Sequence, residues 1–155
     1  MEFKEDGVDH INVYSKGKTE LGALLSNFAY TPFTYEGYGK FASVEAFWYY
    51  YLTGCKHEHL KNLHGWKAKQ EGRKCSHDRI DKCGLTEEQR EVIKEAIRCK
   101  LRKNRRIVRM MKESSLPFTH YYEYGGKRVY PTEYDWIIDE ISRLRQLIKR
   151  PKGQP

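Results

Sequence analysis

No stretch of this chain approaches the ~20 uninterrupted apolar residues that a membrane-crossing helix needs, so a membrane protein is not expected. Cysteine is sparse. Cys55, Cys75, Cys83 and Cys99 are the only four in 155 residues. The opening MEFKEDGVDH is acidic and has no apolar core of a secretion signal, so the thiols read as free and the expected location is the cytoplasm, a host cytoplasm if the source is viral. There is no repeat, no low-complexity run and no long Pro/Ser linker. Residues 1–150 therefore read as one domain and 151–155 as a loose tail. The chain also lacks a P-loop, a G-x-G-x-x-G turn, a G-x-S-x-G elbow and an H-E-x-x-H helix, which removes the best-marked nucleotide, hydrolase and metalloprotease signatures.

What is present is aromatic and basic. Aromatic residues make up 14% of the chain, with 12 Tyr and 3 Trp, and this excludes a disordered polyelectrolyte. The formal net charge is +8, unevenly placed: residues 1–65 carry 6 basic and 8 acidic groups, and the remainder 23 and 13. A basic half beside an acidic one fits a polyanionic ligand, and it equally fits plain solubility.

Local patterns point to a helix-rich α+β chain with short strands and hairpins. Ile11-Asn12-Val13-Tyr14 alternates like a strand, and the following SKGKTELG reads as loop. Residues 33–35 and 40–41 flank a Gly-rich turn and read as a hairpin. Ser43 is a candidate N-cap for a helix from Val44 to about Gly54. A second helix is expected from Gly65 to Glu71 with Gly72 as its stop. Thr86-Glu87-Glu88-Gln89 is a capping box that opens a long helix reaching Glu113, with a break at Asn104. Residues 118–124 and 127–130 around Gly125-Gly126 read as a second hairpin, and Thr132 as the cap of a last helix striped by Ile137, Ile141, Leu144 and Ile148.

Three constellations can carry chemistry. Glu45 stands in the first turn of a helix that is otherwise almost wholly aromatic. It is either a partner for the helix dipole or a desolvated carboxyl usable as a general acid or base. Cys55, His57, His59, His64, Cys75, His77 and Cys83 supply soft ligands, but without the usual zinc spacing. The basic run Arg98 to Arg109 is either a solvated helix face or a set of phosphate contacts.

Leu25-Ser26-Asn27-Phe28, then Pro32-Phe33, then Ser43-Val44-Glu45, and later Ala68-Lys69-Gln70-Glu71-Gly72-Arg73 resemble, in order and spacing, the NADAR (YbiA-like) superfamily. That family is marked by S-N-F, P-F, S-x-E-H-x-Y-Q and A-K-x-x-G-R. The resemblance runs over residues 11–148, from a first strand and loop ending at Ser15-Lys16-Gly17 to Leu144-Arg145. This chain departs from the pattern at Ala46, where the family has His, at Trp48-Tyr49 for its Y-Q, and at Leu52 for a Lys. A late W-G-x-G segment is replaced by His120 to Gly126 and by Tyr134-Asp135-Trp136, with Asp135 opposite the family's Asn. With these departures the chain resembles a divergent, phage-type branch of that family.

The resemblance implies an α+β domain that cleaves the N-glycosidic bond of an ADP-ribosyl or related NAD-derived nucleotide, free or attached to DNA or RNA, without a cofactor or metal. It implies Glu45 as the catalytic carboxylate. Lys69 is implied as the assisting group, on a phosphate or as a Schiff base. Ser15, Lys16, Asn27, Phe28, Ser43, Trp48, Gly72, Arg73, Asp135 and Trp136 are implied as substrate contacts. Two other readings stay open: a non-catalytic binder of such a nucleotide, and a basic nucleic-acid-binding module. For each single residue there is also a plain alternative, such as a solvated Lys69, a helix-terminal Arg73, a turn-forming Asn27 or core packing for the tryptophans.

Overall fold

A computed structural model describes residues 2–151. Residues 152–155, most of the expected tail, lie outside that range. In chain order the elements are β1 (Ile11–Asn12), α1 (Glu20–Leu25), β2 (Phe33–Tyr35), β3 (Gly39–Phe41), α2 (Val44–Leu52), α3 (Gly65–Lys74), α4 (Glu87–Lys103), α5 (Arg105–Glu113), β4 (Phe118–Thr119), β5 (Tyr122–Tyr124), β6 (Lys127–Val129) and α6 (Asp135–Lys149). The chain is α+β and helix-rich, and its strands pair two by two: β1 with β4, β2 with β3, β5 with β6. No helix among the described residues is long and apolar enough to cross a membrane.

The chain divides into two compact units, one of Asn27–Asn104 and one formed by residues up to Ser26 together with those from Arg105 onward. The sequence, having no linker, reads as one domain. The second of these units is built from both ends of the chain, so no shift in composition marks its edges.

In the Asn27–Asn104 unit the core forms around α2. Seven of its nine residues are buried, Glu45 among them. Phe47 stacks on Tyr35 at 4.9 Å and meets Phe41 edge-on at 5.1 Å. From α4, Ile93, Ala96, Ile97 and Leu101 are buried on one stripe. The capping box at Thr86 is present, with Thr86 Oγ1 accepting from Gln89 N at 3.1 Å and Gln89 Oε1 from Thr86 N at 2.9 Å. Gly72 does not stop α3, which runs on to Lys74. A Cβ at Gly72 would strike the Tyr49 ring, so this position is glycine because α3 lies directly on α2 there.

In the other unit β1 pairs in parallel with β4, Ile11 opposite Phe118 and Asn12 opposite Thr119. Phe118-Thr119 is therefore not part of the second hairpin, which is confined to β5 and β6. Buried Asn12 fixes the next turn, donating to Tyr121 O at 3.0 Å and accepting from Tyr121 N at 2.9 Å. The stretch expected as loop before Leu25 holds α1, capped by Thr19, whose side chain accepts from Gly22 N. Gly22 is required because a Cβ there would collide with the Asn12 carbonyl. Thr132 begins a short 3-10 turn, Thr132–Tyr134, rather than capping α6. Arg145 ties α6 to the segment between α5 and β4, lying 3.9 Å over the Phe118 ring and donating to Leu116 O at 2.8 Å.

Candidate active site

Three chain segments meet at the start of α2. Ser43 has extended backbone and caps the helix, its Oγ accepting from Ala46 N at 3.0 Å and donating to Leu63 O at 2.8 Å. Glu45 N donates to Asn27 O at 2.9 Å, and Gly65 N donates to Phe28 O at 2.8 Å. The S-N-F segment, the S-x-E turn and the N-terminus of α3 are thus stitched together by backbone bonds. This brings Asn27, Phe28, Ser43, Glu45, Lys69, Gly72 and Arg73 into one neighbourhood.

Glu45 is the chemically distinctive group. Its side chain keeps 9% of its exposure and makes no hydrogen bond or ion pair among the described residues. Desolvation pushes its carboxyl up to about 7, while the charges of Lys69 and Arg73 pull it back down. A position in the first helical turn favours the anion by only ~0.3–1 kcal/mol, so burial dominates. The result is a carboxyl divided between acid and carboxylate near neutral pH, the condition a general acid or base needs.

Lys69 and Arg73 stand one turn apart on α3, over a ring the sequence reading passed by. Lys69 Nζ is 5.6 Å and Arg73 Cζ 5.7 Å from the Trp66 ring centroid, and Lys69 Nζ is 6.0 Å from that of Phe28. Trp66 is 58% exposed, the most exposed tryptophan face such a pair of cations can share. The signal was available: Trp66, Lys69 and Arg73 fall at i, i+3 and i+7, one helical face.

Trp48 lies elsewhere. It packs against Tyr49, Leu60 and Cys75. Ser15 and Lys16 are exposed in the turn closed by Gly17 N donating to Tyr14 O at 2.8 Å. Asp135, exposed, and Trp136, half-buried, open α6. Ser15, Lys16, Asp135 and Trp136 all belong to the unit built from the chain ends. Close to them in that unit, His120 donates from Nδ1 to Val13 O at 2.7 Å and is ringed by Tyr14, Tyr122 and Tyr134 at 5.0–6.5 Å. Burial holds its imidazolium below the usual range.

Among the described residues no group of three or more His, Cys, Asp or Glu is arranged to hold a metal ion, and the four cysteines are free thiols. The soft-ligand stretch instead pairs His57 Nε2 with Asp78 at 2.7 Å and Lys56 with the same carboxylate at 3.1 Å. The basic run is not one face. Arg98 and Arg102 are tied to Glu95, Lys100 is 1% exposed, and α5 starts afresh after Asn104 with Arg106 paired to Glu20. No family model, no curated protein and no solved structure matches the chain.

Proposed function

We propose that the chain is an N-glycosidase acting on an ADP-ribosyl or related NAD-derived nucleotide, with Glu45 as its acid/base. The observation that carries this reading is the buried Glu45 carboxyl, raised to about 7 with two cations close by. Breaking the C1′–N bond of such a substrate builds positive charge on the ribose. Glu45 as carboxylate faces that charge and takes a proton from water. The water oxygen bonds to C1′, the C1′–N electron pair leaves with the base, and solvent protonates the base. Lys69 and Arg73 hold the diphosphate, Arg73 with its planar fork. Trp66 offers a face for the base, and Asn27 a hydrogen bond to a ribose hydroxyl. No cofactor or metal takes part, and the nucleotide can be free or carried on DNA or RNA. The resemblance of the S-N-F, S-x-E and A-K-x-x-G-R segments to the NADAR superfamily supports the same reaction class, and the proposed setting is the cytoplasm.

The test is a rate–pH profile for ADP-ribose release. Catalysis by the carboxylate form gives a rate that climbs through about pH 7 and is lost in Glu45→Gln. A rate that ignores pH between 5 and 9, or survives that substitution, removes Glu45 from the reaction. A second reading, a non-catalytic nucleotide binder, is favoured by the small opening over Glu45, 9% of its surface. It predicts a ligand retained chemically unchanged by the wild-type protein.

A further inference from the structure

The Asn27–Asn104 unit carries a second surface suited to an anion, and Glu45 does not line it. A groove of about 420 Å3 is lined by Tyr30, Phe33, Lys40, Phe41, Asn62 and Lys103, with Thr34 beside them. Its floor is apolar: Phe33 and Phe41, each 2% exposed, stack at 5.8 Å across the β2–β3 pair. Its rim is polar and cationic. Thr34 and Lys40 face each other across the same two strands, and Asn104 Nδ2, at 3.4 Å from Pro32 O, ties the end of α4 and so Lys103 to the groove.

The charge pattern of this groove suits an anion, as does that of Lys69 and Arg73 beside Glu45. In the same unit Lys61 is paired with Glu58, Lys74 with Glu71, Arg79 with Asp81, and Arg98 and Arg102 with Glu95. Lys40 and Lys103 are exposed and have no such partner among the described residues, and no acidic side chain lines the groove. The C-terminal end of α4 brings a partial negative charge of about half an electron. Two ammonium groups outweigh it. Tyr30 is 63% exposed and makes a T-shaped contact with His64 at 5.2 Å.

We infer that this groove binds a nucleoside phosphate unit, with the phosphate between Lys40 and Lys103 and the planar base on Tyr30. Lysine serves as a point charge for phosphate, and a tyrosine face accepts any base. Asn62 and Thr34 supply hydrogen bonds at the rim. The volume falls inside the ~300–1,000 Å3 range of small-molecule sites. The same chemistry is offered by a free mononucleotide and by one unit of a single strand. The inference does not depend on the glycosidase reading.

The experiment is equilibrium binding of a fluorescein-labelled thymidylate decamer, followed by anisotropy over a salt series, with thymidine monophosphate as competitor. The variants are Lys40→Gln/Lys103→Gln and Tyr30→Ala. All three groove positions are solvent-exposed, and circular dichroism checks that the fold is kept. The double lysine variant is expected to bind at least about tenfold more weakly and to lower the log–log salt slope by about 0.7, one phosphate's worth of released counterions. Tyr30→Ala is expected to lose about tenfold or more without changing that slope. Competition by the monophosphate at similar concentration supports a mononucleotide site, and binding of the decamer alone supports a strand. Equal binding by wild type and the lysine variant, an unchanged slope, or no binding of either probe by wild type would overturn the inference.

Discussion

Replacing Glu45 by Gln is expected to stabilise the protein, and by an amount that depends on pH. The carboxyl is held at about 7 in the folded state against an ordinary 4.5, because burial disfavours its charge. Between those two values the folded chain keeps a proton that the unfolded chain has released. Stability therefore falls as pH rises through that window, and above about pH 7 the penalty is fully present. At about 1.4 kcal/mol per tenfold, the gap corresponds to about 3 kcal/mol. Glutamine matches the protonated acid in shape and does not titrate. The variant and wild type should melt together near pH 4.5, and the variant should melt about 6–12 °C higher near pH 8, taking ~2–4 °C per kcal/mol for a chain of this size. Circular dichroism melts of both proteins from about pH 4.5 to 8 give the difference directly. His120, also perturbed by burial, is common to both and cancels. A difference in Tm that stays constant across pH would refute the argument that burial outweighs the nearby cations and holds the Glu45 carboxyl protonated.

Other substitutions test the packing. Gly72→Ala drives a methyl into the Tyr49 ring and should cost ~1–3 kcal/mol in thermal unfolding, more than the ~1 kcal/mol that alanine returns as a helix former. A stabilised Gly72→Ala protein would mean that α3 does not lie on α2 as described. Thr86→Ala removes the capping box of α4 and should cost ~1 kcal/mol in urea unfolding. Lys100 is held down at about 7 by burial, against 10.5. Its folded form binds fewer protons than the unfolded chain, so wild-type stability should gain between about pH 7 and 10 relative to Lys100→Met; equal changes in the two proteins would count against a buried Lys100.

The parts of the fold legible in the sequence are those decided within one turn of chain. The Ser43 and Thr86 caps and the break at Asn104 each rest on a side chain bonding three or four residues away, and all three are where the pattern puts them. The strand pairing was not legible. Gly125-Gly126 draws the whole stretch from Phe118 into one hairpin, yet Phe118-Thr119 pairs with Ile11-Asn12 near the other end of the chain. α1 was hidden because it is short and holds its glycine for contact with the Asn12 carbonyl, not for flexibility. Gly72 misled for the same reason. At the candidate site, Glu45 stood out because a lone acid among aromatics can be seen in one dimension. Trp66 did not, since its meaning comes from the two cations above it. In the basic run, Glu91 and Glu95 earlier on α4 pair with Arg98 and Arg102, a neutralisation that shows only once the helical spacing is laid out.

The most direct test of the proposed reaction is product analysis by mass spectrometry. Wild type and Glu45→Gln are incubated with DNA carrying ADP-ribosylated guanine, with NAD and with ADP-ribose. The account predicts ADP-ribose released from the modified DNA, with the guanine restored, by wild type alone. Release by both proteins, or none by wild type while a nucleotide stays bound and intact, would contradict it.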